Sequence, residues 1–129
     1  MESILTSIKK MLGIEEIYEH FDPEIIVYIN SVFMNLNQLG VGPETGFSII
    51  DKIQTWTDYF GVDAYLEAVK SYIYMKVRLI FDPPSNAFVL EAMERQITEI
   101  EWRINVEVEN RLAALAEVLV LEEGIIYNE

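Results

Sequence analysis

Apolar residues recur along this chain at helical spacing and seldom alternate with polar ones. The clearest pattern follows the proline pair at 83–84, where apolar positions return every three or four residues and charged residues fill the gaps. Such a seam is typical of the packed face of a long helix. Its members are Leu90, Met93, Ile97, Ile100 and Ile104.

Weaker versions of the same pattern predict three further helices. They cover residues 3–12, 22–39 and 63–81, with glycine or proline after each. Asp22-Pro23-Glu24 is expected to open the second helix, with Asp22 as its N-cap. Residues 47–53 are short and β-branched, which predicts an extended segment. The fold class is therefore an all-α small helical bundle of about four main helices, with a short extended segment near 47–53.

The third predicted helix is apolar on most of its circumference, because Tyr72, Met75 and Leu79 stand beside its main stripe. A helix of this kind is buried on most sides. Either copies of the chain cover it, or it is the central helix of a compact monomer. Trp102 lies off the seam of the fourth helix, and it too fits a subunit contact or an intrachain core. The predicted subunit interface consists of Tyr72, Met75, Leu79 and Trp102.

The last part of the chain differs in character, which divides the sequence into a helical domain at 1–106 and an apolar tail at 107–129. The tail is helix-prone, and Gly124 is expected to end its helix. Chain ends are usually polar and loose unless something holds them. An apolar tail is either an exposed liability or a docking segment, and the prediction here is a docking segment. Its candidate docking residues are Leu112, Leu115, Val118, Leu119, Leu121, Ile125, Ile126 and Tyr127.

Composition narrows the possible functions. The 129 residues suit one domain, and the absence of cysteine excludes a disulfide framework and a cysteine-based metal site. A net charge of -13 opposes ordinary electrostatic binding to nucleic acid. The most apolar stretch, 64–81, carries four charged residues, so a membrane span is not expected.

The sequence also offers no pattern for catalysis. His20, the single histidine, lies in a polar loop, and no glutamate on the predicted helices forms the Glu-x-x-His pattern of di-metal bundles. The glycine-rich loop at 40–46 lacks the Gly-Lys-Ser/Thr ending of a phosphate-binding loop. We therefore expect no enzyme, and no catalytic residue, metal or cofactor.

Two stretches carry a likeness to a known family: INSVF and LNQLGVGP within residues 29–43, and YIYMKVRLIFDPPS at 72–85. Together with TWTDYFG (55–61) and EIEWRIN (99–105), they make the chain resemble the siphophage head–tail connector family, also called head-completion or adaptor proteins. The resemblance covers about residues 1–106.

This resemblance implies a structural virion protein that forms a ring, usually twelve-fold, and works without a cofactor. The ring would dock beneath the portal protein, carry a stopper or tail-proximal connector on its other face, and let DNA pass through its centre. By position, residues 107–129 would reach the portal. The implied location is the head–tail interface of the virion, and host cytoplasm before assembly, with no membrane partner. Acidic residues lining the pore would repel DNA phosphates, so the genome would slide without sequence-specific binding.

A function of another class also fits the charge. A small acidic helical module could bind a basic host protein as a regulator or DNA mimic. Recovery of a basic nucleic-acid-binding protein in a pull-down, without the portal, would favour this alternative.

Overall fold

A computed structural model describes residues 2–60 and 66–127, and in it the side chains of Leu66 and of 123–127 are not described. The described chain is all-α, as predicted, with α1 (Ile4–Met11), α2 (Asp22–Gln38), α3 (Trp56–Phe60), α4 (Leu66–Phe81) and α5 (Ala87–Tyr127). The predicted start of the third main helix, at 63–65, lies outside the described residues. Residues 47–53 are irregular chain, and the nearby β pairing is a single antiparallel bridge between Ser3 and Thr55.

Helix α4 is the centre of the bundle, packed by α2, α1 and α5. Its buried side chains cover more than half of the helix circumference and not one narrow stripe, because it has neighbours on several sides. They join the single large core cluster that α1, α2 and α5 also supply. From α4 these buried residues are Val69, Tyr72, Ile73, Met75 and Val77.

Asp22 does not cap α2 as the sequence predicted, because the helix already includes Asp22 and its N-cap position is Phe21. The Asp22 carboxylate lies instead 2.8 Å from the ammonium of Lys9, a side chain only 2% exposed. Lys9 Nζ also donates to the carbonyls of Glu16 at 3.0 Å and Tyr18 at 2.8 Å. The ammonium thus donates two hydrogen bonds to backbone carbonyls and forms one ion pair with a carboxylate. Lys9 thereby fixes the loop between α1 and α2.

The loop after α2 presses against the rest of the bundle through two glycines. Gly42 has φ +87°, and a Cβ there would lie 2.7 Å from Cε1 of the Tyr59 ring. Gly40 has φ +88°, and its Cβ would lie 3.0 Å from Cγ1 of Val108. Only glycine combines this backbone conformation with so close an approach. The loop therefore closes the core between α3 and the middle of α5.

Helix α5 has 41 residues and is about 60 Å long. The predicted seam is confirmed: Met93, Ile97 and Ile104 are buried, and Leu90 and Ile100 are partly buried. The helix crosses residue 106 without a break, so the predicted division of the chain lies inside one helix. Gly124 does not end it either, since α5 continues to Tyr127. One glycine costs a helix only about 1 kcal/mol, and no proline follows to stop it.

Candidate interaction surfaces of the long helix

The seam that holds α5 on the bundle continues beyond the bundle. After Ile104 and Val108, apolar residues return at Leu112, Leu115 and Leu119, again three or four positions apart. Those three side chains are 61%, 57% and 53% exposed. We call them the free stripe. Side chains at this spacing share one helix face, so the face that buries Met93 and Ile97 upstream is bare downstream.

The rest of the projecting helix is also apolar and exposed. Every described side chain from 109 to 122 is exposed, including the docking candidates Val118 and Leu121. Ile125 and Ile126, with Tyr127, belong to the helical backbone, but their side chains lie outside the described part. An apolar surface of this extent is a candidate site of contact with another molecule.

Trp102 lies on the opposite side of α5. It precedes the buried Ile104 by two residues and is therefore about 200° away around the helix. The indole is 64% exposed. It lines a shallow depression together with Glu91, Glu94, Arg95, Thr98 and Glu99, which we call the Trp102 face. This face combines one large apolar side chain with a predominantly acidic surround.

The other predicted interface residues are buried or partly buried within a single copy. Tyr72 and Met75 are buried and Leu79 is partly buried, all packed in the core of one copy. The Tyr72 hydroxyl donates to Oε2 of Glu101 at 3.2 Å and so links α4 to α5. Burial, followed by the negative charge of Glu101 and this hydrogen bond, raises the pKa of the Tyr72 phenol far above its ordinary value. We therefore leave Tyr72 and Met75 out of the candidate surfaces and retain Trp102.

One further exposed surface is not indicated by the sequence pattern. It is the turn Ile50–Ile53, whose two isoleucines are 78% and 73% exposed. The side-chain oxygen of Gln54 accepts from the backbone N–H groups of Ile50 and Asp51, at 2.8 and 3.0 Å, and Asp51 accepts from that of Ile53 at 2.8 Å. The turn is thus held with its apolar side chains outside. The β-branched run was the available signal, but it could not show which residues face out.

Within ranges 2–60 and 66–127, no three His, Cys, Asp or Glu side chains come together in a group that could hold a metal ion. No helix in the same ranges is sufficiently long and apolar to cross a bilayer.

Residues 4–111 match the family model described as phage connector protein. No curated protein and no solved structure matches the chain. The family match covers the bundle and the packed half of α5, and it ends one residue before the free stripe begins.

Proposed function

Because the chain belongs to the phage connector protein family, we propose that it is a structural subunit of the head–tail connection. In this proposal copies of the chain assemble into a ring, the ring docks on the portal through the projecting half of α5, and a further connector or stopper binds its other face. The chain does its work by bridging and sealing, and DNA passes through the ring.

The observation that carries the proposal is the continuity of the α5 seam. Leu112, Leu115 and Leu119 repeat the pattern that packs Met93 and Ile97, yet they have no partner within the described chain. Burying one leucine is worth about 1.5–3 kcal/mol. A second molecule that buries this face would therefore be stabilised by the same kind of apolar packing that holds the first half of α5 against α4. The likeness to adaptor proteins, in which the corresponding segment reaches the portal, supports the portal as that molecule.

Charge supports passage of DNA without adhesion. Helix α5 alone carries nine acidic and three basic residues, and the whole chain carries a net charge of -13. A ring multiplies this charge around its centre, and like charge repels phosphate backbones. Strong retention of DNA by the assembled ring would be inconsistent with the proposal.

Electron microscopy of the chain mixed with the portal protein of the same phage tests the proposal. We expect portal rings with an additional layer of density on one face, with portal alone as the control. The result that would contradict the proposal is a portal with no added density, together with a chain that instead retains a basic nucleic-acid-binding protein in a pull-down. That outcome would favour the acidic regulator.

A further inference from the structure

We propose that the turn Ile50–Ile53 of one copy docks on the Trp102 face of the next copy. The proposal rests on the proposed ring, and it names the two surfaces that join neighbouring subunits. The occupant of the Trp102 face is thus a second copy of this chain.

The turn and the Trp102 face are both apolar, and nothing in the described chain covers either of them. Trp102 is 64% exposed, and Ile50 and Ile53 are more exposed still, at 78% and 73%. Tryptophan is a favoured anchor of protein interfaces, where it packs against apolar side chains. The backbone of the turn is fixed by hydrogen bonds to the side chains of Gln54 and Asp51. A turn held in this way loses little conformational freedom when it binds.

Charge also favours contact between the turn and the Trp102 face. Lys52 lies between the two isoleucines and is exposed, with no carboxylate partner among the described residues. Among the residues whose side chains the structure describes, it is the one cation that has two apolar side chains more than two-thirds exposed within two positions of it. Of the carboxylates on the Trp102 face, Glu99 already pairs with Arg103, which lies outside the face, at 2.7 Å. Glu91 and Glu94 form no such ion pair within the described ranges. Their carboxylates are therefore available to Lys52 of another copy, which lies between the two exposed isoleucines of the turn.

The positions of the two surfaces on the subunit also fit a contact between copies. Trp102 points away from α4, the helix on which α5 chiefly packs. The turn lies instead beside α1 and the start of α2, where Asp51 and Lys52 share a depression with Leu5 and Ile26. Two different surfaces on separate parts of the subunit give a head-to-tail contact. Such contacts close into a ring when the rotation between copies permits it.

The contact is small, which predicts how it behaves. One tryptophan against two isoleucines falls short of the area that stable protein pairs bury. A single pair of copies should therefore bind weakly. In a closed ring on the portal, each copy is held at both surfaces and by its α5 helix, so the effective concentration of each contact is high.

Disulfide trapping tests this contact directly, because the chain contains no cysteine. Ile53→Cys and Thr98→Cys are placed in one chain, and the chain is oxidised with copper phenanthroline in the presence of the portal. Thr98 is exposed and lies one turn from Trp102. We expect a ladder of dimers, trimers and larger species on non-reducing gels, because each copy offers both halves of the contact. Each single-cysteine variant can give dimers only.

The matched control pairs Thr98→Cys with Met34→Cys, since Met34 is an exposed apolar residue on α2, outside the turn. Charge reversal in the chain that carries both Ile53→Cys and Thr98→Cys gives a second readout. Lys52→Glu or Glu94→Lys alone should reduce the ladder several-fold, and the two together should restore it.

The inference is overturned if the 53/98 pair gives no more ladder than the 34/98 pair. Should the unmodified chain still add a layer to the portal, the ring forms through other surfaces and the proposed function stands. Absence of both the ladder and the added layer would instead contradict the proposed function as well.

Discussion

Replacement of Leu112, Leu115 and Leu119 by serine is expected to weaken binding to the portal at least a thousandfold and leave the bundle folded. Each side chain is more than half exposed in the single copy, so its loss removes little packing. In the docked state the three leucines together contribute about 5 kcal/mol or more, and about 4 kcal/mol already corresponds to a thousandfold change in Kd. Titration against the portal measures the affinity, and thermal unfolding measures the fold.

A triple serine variant of exposed apolar residues elsewhere provides the control. Val27 and Met34 on α2, with Ile17 before it, are comparably exposed and lie outside the free stripe. We expect this control to bind the portal with unchanged affinity. If the leucine variant bound as tightly as the unmodified chain, or unfolded at a much lower temperature, the free stripe would not be a docking surface.

The second large effect is expected at Lys9. Substitution by methionine keeps most of the side-chain volume but removes the ammonium from beside Asp22, 2.8 Å away, and leaves two backbone carbonyls without their donor. Removal of one partner of a buried ion pair costs about 3–5 kcal/mol. A domain has only about 5–15 kcal/mol of net stability. Lys9→Met should therefore lower the midpoint of urea unfolding markedly.

Lys10 provides the matched control, because it is the adjacent lysine and is exposed. Lys10→Met should change the free energy of unfolding by less than about 0.5 kcal/mol, the range of ordinary surface substitutions. Equal effects of the two substitutions would show that the buried pair contributes nothing. A double variant, Lys9→Met with Asp22→Asn, should recover part of the loss because it no longer buries an unpaired carboxylate.

The sequence predicted those helices whose apolar residues lie on one face. The seam of α5 could be read because its period repeats from Leu90 to Ile104. The same reading could not assign Tyr72 and Met75 to core or interface. A helix that is apolar on most sides looks alike whether its own chain or a neighbour covers it. Only the packing of α4 by α2, α1 and α5 shows that these two residues are core.

Other features depend on contacts distant in the sequence. Lys9 looks like an ordinary polar residue of an amphipathic helix, and its acceptors come from a loop whose path the pattern does not reveal. Asp22, which the sequence predicts to cap α2, lies inside the helix and pairs with Lys9, a contact that the local sequence does not reveal. For the tail, the sequence revealed the apolar composition but not which face of the helix the apolar side chains lie on. That Leu112, Leu115 and Leu119 extend the buried face became evident only once α5 proved continuous.

Amide hydrogen exchange along α5 tests most directly whether this surface awaits a partner. In the chain alone, amides from about 93 to 108 should exchange slowly and those from 109 to 122 quickly, since packing protects only the first group. In the complex with portal, exchange in 109–122 should slow at least tenfold. Protection of 109–122 in the isolated chain equal to that of the packed half, or no change on adding portal, would contradict the account.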